Sequence, residues 1–210
     1  MQEITVRQHG ISPYEPTWRM MQKFTEERND ITPDELWLVE HPPVFTLGKA
    51  SKHEHLLNPG NIPVVQIDRG GQVTYHGPGQ LVLYTMIDIQ RKNIGVRALV
   101  TALENSLINT LKTFGIDSVA RSDAPGVYVD GAKIAAIGLR IRKGRSFHGL
   151  SFNLDMDLEP FSRINPCGYR GLQVTQLSDL ITLPESGEIE RLLVQQLVNQ
   201  LGYNWNGEIT

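Results

Sequence analysis

Residues 126–154 contain the feature that most constrains the fold: two tight turns between apolar runs in GVYVDGAKIAAIGLRIRKGRSFHGLSFNL. Asp130-Gly131 between apolar residues is typical of a type I′ hairpin, which places Tyr128 opposite Lys133. A second two-residue turn at Lys143-Gly144 leads into a third antiparallel strand. The segment therefore predicts a three-stranded meander. Its register pairs Val129 with Ala132, Ile141 with Ser146, and Ala136, Ile137 and Gly138 with Ser151, Leu150 and Gly149.

The rest of the chain mixes strand and helix patterns. Strands are predicted near residues 4–6, 36–40 and 44–47 and in the glycine-rich region 64–89, with Pro42-Pro43 separating the second from the third. Helical spacing is found at residues 14–25, 95–114 and 186–201, and Gly202 is the expected residue after the last helix. These patterns predict an α+β fold class, a mixed sheet with packed helices, in a single domain of residues 1–210.

Composition narrows the partners and the compartment. Lys+Arg 20 against Asp+Glu 23 gives a net charge of -3, so the overall balance favours neither a nucleic-acid nor a membrane partner. No run approaches the ~20 apolar residues that span a bilayer, so we expect a soluble protein. One cysteine cannot form an internal disulfide, and the first twenty residues show no leader pattern. We therefore expect a cytoplasmic protein.

Lys133 is an unusual residue for its strand. Strict alternation puts it on one face with Ala135, Ile137 and Leu139, and the opposite face is equally apolar. Burial disfavours an ammonium ion, so a lysine here can act as a base near neutral pH. The alternative is a lysine at the strand end whose amine reaches solvent along a packed stem.

Residues 69–80, RGGQVTYHGPGQ, carry four glycines that allow backbone to approach a ligand closely. The segment predicts the wall of a substrate channel, or alternatively a tight turn between two strands. His76 here and His148 in the third meander strand are candidate bases, or structural histidines. The other histidines lack partners at metal-ligand spacing, so no metal is expected.

Cys167 is the only cysteine, within NPCGYRG. Proline and glycine on either side predict irregular backbone, so its side chain need not belong to the core. A cysteine becomes nucleophilic when a cation, a base or a helix N-terminus favours its thiolate, and otherwise it is an inert small side chain. Arg163 and Arg170 are near in sequence, but spacing alone does not identify its partner.

Four segments together resemble one family, the octanoyltransferases of protein lipoylation: RGGQVTYHGPGQLVLY, GVYVDGAKIAAIGLRI, FHGLSFNL and INPCGYRGLQVTQL. The resemblance implies a fold like the catalytic domain of biotin and lipoate protein ligases. It implies transfer of octanoyl from octanoyl-acyl carrier protein to a lysine of lipoyl domains, in E2 subunits or the glycine-cleavage H protein. Cys167 is then the nucleophile that forms an acyl-thioester, and Lys133 its partner. Because the donor is already a thioester, no ATP, metal or other cofactor is expected.

The resemblance also places the substrate-binding residues. Ala136, Gly138 and Gly149 are small enough to leave a slot for an eight-carbon chain, and backbone amides of the glycine-rich loop or of Gly168 can stabilise the oxyanion. The substrate-binding set is Arg69, Gly70, Gly71, Gln72, Val73, Thr74, Tyr75, His76, Ala136, Ile137, Gly138, Gly149, Leu150 and Ser151.

Three alternative functions remain: an ATP-dependent lipoate or biotin protein ligase, a cysteine-dependent amidotransferase, and a non-catalytic acyl-binding scaffold.

Docking of an acidic carrier protein also requires a local group of cations on this chain. Lys143 is ten strand residues from Lys133, roughly 33 Å at ~3.3 Å per residue, whereas a pantetheine arm reaches only about 20 Å. We therefore expect docking at Arg163 and Arg170 rather than at the hairpin-tip cations Arg140, Arg142, Lys143 and Arg145.

Overall fold

A computed structural model describes residues 2–210 and shows two sheets and three helices. The helices are α1 (Tyr14–Glu27), α2 (Val96–Thr113) and α3 (Glu188–Leu201). The strands are β1 (Gln2–Ile11), β2 (Asp34–Glu40), β3 (Val44–Leu47), β4 (Val64–Gln66), β5 (Val73–His76), β6 (Gln80–Met86), β7 (Val119–Ala120), β8 (Gly126–Val129), β9 (Ala132–Arg142), β10 (Arg145–Asn153) and β11 (Tyr203–Asn204). The predicted α+β class is confirmed.

Eight strands form the main sheet in the order β11-β1-β2-β6-β10-β9-β8-β7, and β4-β3-β5 form a smaller one. Parallel β1–β2 pairing and antiparallel β6–β10 pairing coexist, so the main sheet is mixed. No helix within residues 2–210 is long and apolar enough to cross a membrane.

The predicted meander is confirmed as β8, β9 and β10. Asp130 and Gly131 have φ of 49° and 83°, as a type I′ turn requires, and Lys143 and Gly144 repeat the pattern with 50° and 72°. The predicted register is also confirmed: Tyr128 faces Lys133, Val129 faces Ala132, and Ile141 faces Ser146. Ala136, Ile137 and Gly138 face Ser151, Leu150 and Gly149.

Successive residues along the strands of the main sheet point to opposite faces, and each face packs against different helices. Leu38 and Leu83 point into the large core under α2 and α3, whose stripe includes the fully buried Leu103 and Leu107. The intervening Trp37 and Tyr84 pack under α1 with its Met21. This second face matters for function, because the register puts Val82, Ser151 and Ala136 on it in one row and Tyr84, Gly149 and Gly138 in the next.

A β-bulge in β9 changes the direction of the residues that follow the first turn. Val127 pairs with Ala135 but Tyr128 pairs with Lys133, so Ile134 has no partner in β8. Ile134 and Ala135, which strict alternation would put on opposite faces, pack in the same core cluster. The prediction that Lys133 shares a face with Ala135 and Ile137 is therefore wrong, because alternation is interrupted between them.

Candidate active site

A cavity of about 480 Å³ lies beside the meander, and residues from all four motif segments are in its wall. Cys167 is in its wall, so the nucleophile candidate and the acyl-binding candidates share one space. Of the predicted substrate-binding residues, those in the wall are Arg69, Gly70, Gly71, Gln72, Val73, Thr74, His76, Ala136, Ile137, Gly138, Gly149, Leu150 and Ser151.

Tyr75 is the predicted substrate-binding residue that the structure does not bring to the cavity. It packs with Phe45 and Phe161 in a separate cluster beneath the small sheet. The reason is strand alternation, since Thr74 and His76 in the same strand face the cavity and their neighbour must face away.

Lys133 and Cys167 are in direct contact. Lys133 Nζ lies 2.9 Å from Cys167 Sγ and donates a second hydrogen bond to the Pro125 carbonyl at 3.1 Å. The side chain is only 4% exposed, so the alternative of a lysine reaching solvent is wrong. The backbone of Lys133 is held on the edge of β9 that faces away from β8. There Lys133 N–H donates to Gln173 O at 2.8 Å, and Thr175 N–H donates to Lys133 O at 3.0 Å.

The backbone at Cys167 is irregular, as predicted. Cys167 lies in a 3-10 turn, Pro166–Gly168, and has φ 57° and ψ 15°. Left-handed backbone is uncommon for a residue with a side chain and costs on the order of 1 kcal/mol, so surrounding contacts must maintain it. Gly168 N–H donates to Asn165 O at 2.9 Å, and Asn165 N–H donates to His55 O at 2.8 Å. These bonds hold the half-exposed cysteine against the buried lysine.

The glycine-rich loop is fixed by Arg69, whose guanidinium is buried. It donates to the Thr46 carbonyl and hydroxyl, both at 2.9 Å, and to the Gly70 carbonyl at 2.9 Å. Gly70 N–H in turn donates to Leu139 O in β9 at 3.0 Å. Burial lowers the pKa of Arg69. The loop thus joins the small sheet to the meander and closes one side of the cavity.

Gly138 and Gly149 do not form the slot that the sequence analysis predicted for an eight-carbon chain. A Cβ at Gly149 would overlap the carbonyl oxygen of Leu83 in β6, so this glycine permits close strand pairing. A Cβ at Gly138 would stand 3.0 Å from Arg69 Cδ, so this glycine makes room for the arginine. Neither absent side chain leaves empty space, because neighbouring atoms occupy it.

His76 and His148, the candidate bases, are occupied elsewhere. His76 Nδ1 lies 2.7 Å from Gln80 Oε1, and burial lowers the pKa of His76 to about 3. His148 Nε2 lies 3.0 Å from Asp68 Oδ1, and burial lowers the pKa of His148 as well. Within residues 2–210 the hydrogen-bond partner of Cys167 Sγ is Lys133 alone. The same residues contain no cluster of three potential metal ligands.

The structure adds wall residues that the sequence interpretation missed. Tyr14 of α1 and the segment 123–125 line the cavity, as do Val96 and Val100 of α2. Val96 and Val100 are one helical turn apart, so a second apolar row on α2 was a detectable signal. Nothing local to Tyr14 indicated the cavity, because α1 reaches it only through tertiary packing.

The surface cations near the site differ in their pairing. Arg163 is held by Glu159, with Nε–Oε2 at 2.9 Å and Nη2–Oε2 at 2.6 Å, whereas Arg170 is exposed and has no ion pair within residues 2–210. At the hairpin tip, Arg142 pairs with Glu26. Arg145 is also engaged, with Asp88 at 3.2 Å.

Comparison with known proteins identifies relatives of both sequence and fold. Residues 13–198 match the lipoyl protein ligase A/B catalytic domain. An octanoyltransferase of Vibrio atlanticus is 60% identical, covering 96% of this chain and 92% of the relative. An octanoyltransferase of Pseudomonas entomophila is 62% identical over 95% and 93%.

Solved structures show the same architecture at much lower sequence identity. A lipoate-protein ligase A bound with ATP superimposes with a TM-score of 0.77 at 14% identity, covering 100% of this chain and 89% of the other. A biotin protein ligase from Aquifex aeolicus with biotin and ATP gives 0.59 at 10%, covering 96% and 71%. The expected likeness to the catalytic domain of lipoate and biotin ligases is confirmed.

Proposed function

This chain belongs to the octanoyltransferases, within the lipoyl protein ligase A/B catalytic-domain family, and from that premise we propose how its residues carry out the reaction. It is an acyltransferase of protein lipoylation. The proposed donor is octanoyl-acyl carrier protein, and the proposed acceptor is a lysine of a lipoyl domain, in an E2 subunit or the glycine-cleavage H protein. The observation that carries the mechanism is the 2.9 Å contact between Lys133 Nζ and Cys167 Sγ at the cavity wall.

The first half-reaction makes an acyl-enzyme. Lys133 accepts the Cys167 proton, and the thiolate attacks the carbonyl carbon of the octanoyl thioester. The bond to the pantetheine sulfur then breaks, and that sulfur leaves with the proton held on Lys133. The products are free carrier thiol, neutral Lys133 and an octanoyl thioester on Cys167.

Oxyanion stabilisation is assigned to the glycine-rich loop. Gly168 N–H already donates to Asn165 O, and Gly70 N–H to Leu139 O, so neither amide is free. The amides of Gly71 and Gln72 make no hydrogen bond within residues 2–210. Gln72 lies close to the cysteine turn, with its Cγ 3.4 Å from the Cβ position of Gly168. We assign the oxyanion to these two amides.

The second half-reaction needs a base for the incoming lysine amine. His76 is buried, bonded to Gln80 and, with a pKa of about 3, a poor proton acceptor. Lys133 is neutral once the carrier thiol has left, and it touches the sulfur that carries the acyl group. We therefore propose that Lys133 takes the amine proton as the amide forms and returns it to the leaving Cys167 thiolate.

Binding energy comes from the acyl chain. At ~0.8 kcal/mol per buried CH₂, enclosing the octanoyl chain in the cavity supplies about 5 kcal/mol. Because the donor thioester is already activated, the reaction as proposed uses neither ATP nor metal, unlike an adenylate-forming ligase. A reactive single thiol also needs a reducing compartment, which supports the cytoplasm.

For carrier docking, the structure favours one of the two predicted cations. Arg163 is neutralised by Glu159, whereas Arg170 is exposed and three residues from Cys167. The strand β9 runs from Ala132 to Arg142, which supports a long separation between the hairpin tip and Lys133. We propose that Arg170 is the docking cation for the acidic carrier.

Intact-protein mass measurement tests the proposal. Incubation with octanoyl-acyl carrier protein, without nucleotide, is expected to add one octanoyl group, and Cys167→Ser is expected to abolish both the adduct and transfer to a lipoyl domain. An adduct that requires ATP would establish the ligase alternative instead. Octanoyl-H protein offered as the only donor tests the amidotransferase alternative, and transfer by Cys167→Ser would eliminate the covalent intermediate.

A further inference from the structure

Residues 168–172 follow the candidate nucleophile as a largely exposed loop. Their backbone hydrogen bonds are local, as where Tyr169 N–H donates to Pro166 O at 3.1 Å. Within residues 2–210, Tyr169 is the one member of this loop whose side chain hydrogen-bonds to a segment distant in sequence. Its hydroxyl donates to Asp123 Oδ2 at 3.2 Å. Besides its two ends, the loop is therefore held by the Tyr169–Asp123 bond.

The acceptor of this bond is itself fixed in orientation. Arg121 donates through Nη2 to Asp123 Oδ2 at 2.6 Å and through Nε to Asp123 Oδ1 at 3.2 Å, a two-point contact that orients the carboxylate. The guanidinium of Arg121 lies 4.9 Å from the centre of the Tyr128 ring. The negative charge of Asp123 raises the pKa of Tyr169, so the phenol keeps the proton that it donates.

The segment 123–125, which begins with this carboxylate, also contacts the catalytic lysine. Lys133 Nζ donates to Pro125 O at 3.1 Å. Between these two points the hydroxyl of Tyr128 donates to Ala124 O at 2.8 Å. All three residues of the segment line the cavity. One short segment thus contacts the lysine directly and the loop after the cysteine through a single hydroxyl.

The conformation of Cys167 makes this second contact necessary. Its φ of 57° is strained for a residue with a side chain, so surrounding contacts must maintain it. We propose that Tyr169 is a positioning residue that acts through Cys167, because its bond to Asp123 keeps Sγ within hydrogen-bond distance of Lys133 Nζ. The inference rests on the Cys167–Lys133 pair of the proposed function. Loss of this one hydrogen bond is expected to lower the fraction of molecules with that contact by about three- to tenfold.

Alkylation of Cys167 by iodoacetamide tests the inference, because the protein has one cysteine and the reagent reports thiolate. Tyr169→Phe removes only the hydroxyl. It is expected to raise the midpoint of the alkylation pH profile by about half a unit to one unit, since Lys133 stabilises the thiolate only in molecules that keep the contact. The midpoint, unlike the limiting rate at high pH, does not depend on how easily the reagent reaches the sulfur.

Tyr203→Phe is the matched control. It removes another phenol hydroxyl that donates to a carboxylate, that of Asp34, and it lies in β11 at the far edge of the main sheet. This variant is expected to lower Tm and to leave the alkylation midpoint unchanged. Equal midpoint shifts in Tyr203→Phe and Tyr169→Phe would show general loosening of the fold and overturn the proposal.

Double mutants show the route of the effect. Tyr169→Phe should shift the midpoint no further in an Asp123→Ala background or in a Lys133→Met background, and a full shift in either would contradict the proposal. If Lys133→Met raises the midpoint but Tyr169→Phe does not, the positioning role is wrong and the Cys167–Lys133 pair stands. If Lys133→Met leaves the midpoint unchanged, the pair and the inference both fail. Alkylation needs no acyl donor, so the result is independent of the octanoyl substrate.

Discussion

Gly138 and Gly149 allow one chemical change to be compared at two facing positions. They are cross-strand partners in β9 and β10, and both line the cavity. An added methyl group at Gly149 would overlap Leu83 O and stand 3.0 Å from the Leu83 carbonyl carbon and 3.1 Å from Tyr84 Cα, all backbone atoms. At Gly138 the nearest atom, at 3.0 Å, is Arg69 Cδ, in a side chain.

The difference in what each methyl group meets sets the magnitudes. Ordinary C···O contacts are about 3.3–3.6 Å, so Gly149→Ala must move β10 away from β6 by more than about 1 Å. That displacement weakens one or two ladder hydrogen bonds at about 0.5–1.5 kcal/mol each and exposes buried packing. We expect a loss of about 2–4 kcal/mol in the free energy of unfolding, or roughly 5–15 °C in Tm for a chain of this size.

Gly138→Ala is expected to cost less than about 1 kcal/mol, because a flexible side chain can shift by a few tenths of an ångström. It should nevertheless slow acyl-enzyme formation, since Arg69 fixes the glycine-rich loop. The assays are urea unfolding at equilibrium and the time course of octanoyl adduct formation by intact mass. Equal stability losses in the two variants, or a Gly149→Ala protein as stable as the parent, would refute the steric reasoning.

Lys133→Arg keeps the charge but cannot accept a proton, so we expect acyl-enzyme formation to slow by about 100-fold or more with unchanged Tm; near-normal rates would assign the base elsewhere. Arg170→Glu should slow acylation of the enzyme by the carrier in a salt-dependent way, whereas Arg142→Glu should change the acylation rate little. Both rates are measured by intact mass on samples quenched at successive times, and the reverse order of effects would disprove the distance argument. Burial lowers the pKa of His41 to about 4 and of His76 to about 3, below the unfolded value of ~6.5. Their contribution to stability is therefore present above pH ~6.5 and lost as pH falls toward 4, and urea unfolding should show about 3–4 kcal/mol less stability at pH 5.0 than at pH 7.5. A flat stability profile between those pH values would contradict it.

Local chemistry explains which parts of the site were predictable. Each two-residue turn requires positive φ at both central positions, so Asp130-Gly131 and Lys143-Gly144 define their hairpins without help from the rest of the chain. Pairing then advances by one residue on each strand, which is why Gly138 could be placed opposite Gly149 before any tertiary contact was known. Motif resemblance identified Cys167 and Lys133 but contained no distances.

The directions of side chains were less predictable, because they depend on irregularities and distant segments. The β-bulge at Ile134 interrupts alternation and turns Lys133 away from the face predicted for it. Tyr14 reaches the cavity only through the tertiary packing of α1. Arg163 forms an ion pair with Glu159, four residues earlier, that distinguishes it from Arg170.

The sequence by itself determined the register of the meander and the positions of the three helices, since turn chemistry and periodicity act over a few residues. Cys167 and Lys133 became the candidate reactive pair only through the resemblance of their motifs to those of a known family. Only the tertiary structure decided that Lys133 Nζ lies 2.9 Å from a sulfur 34 positions away and that Gly149 must admit a neighbouring strand. It also decided that Tyr75 faces a different core. The physical reason is that such contacts are fixed by close packing of segments remote in sequence, which no local pattern encodes.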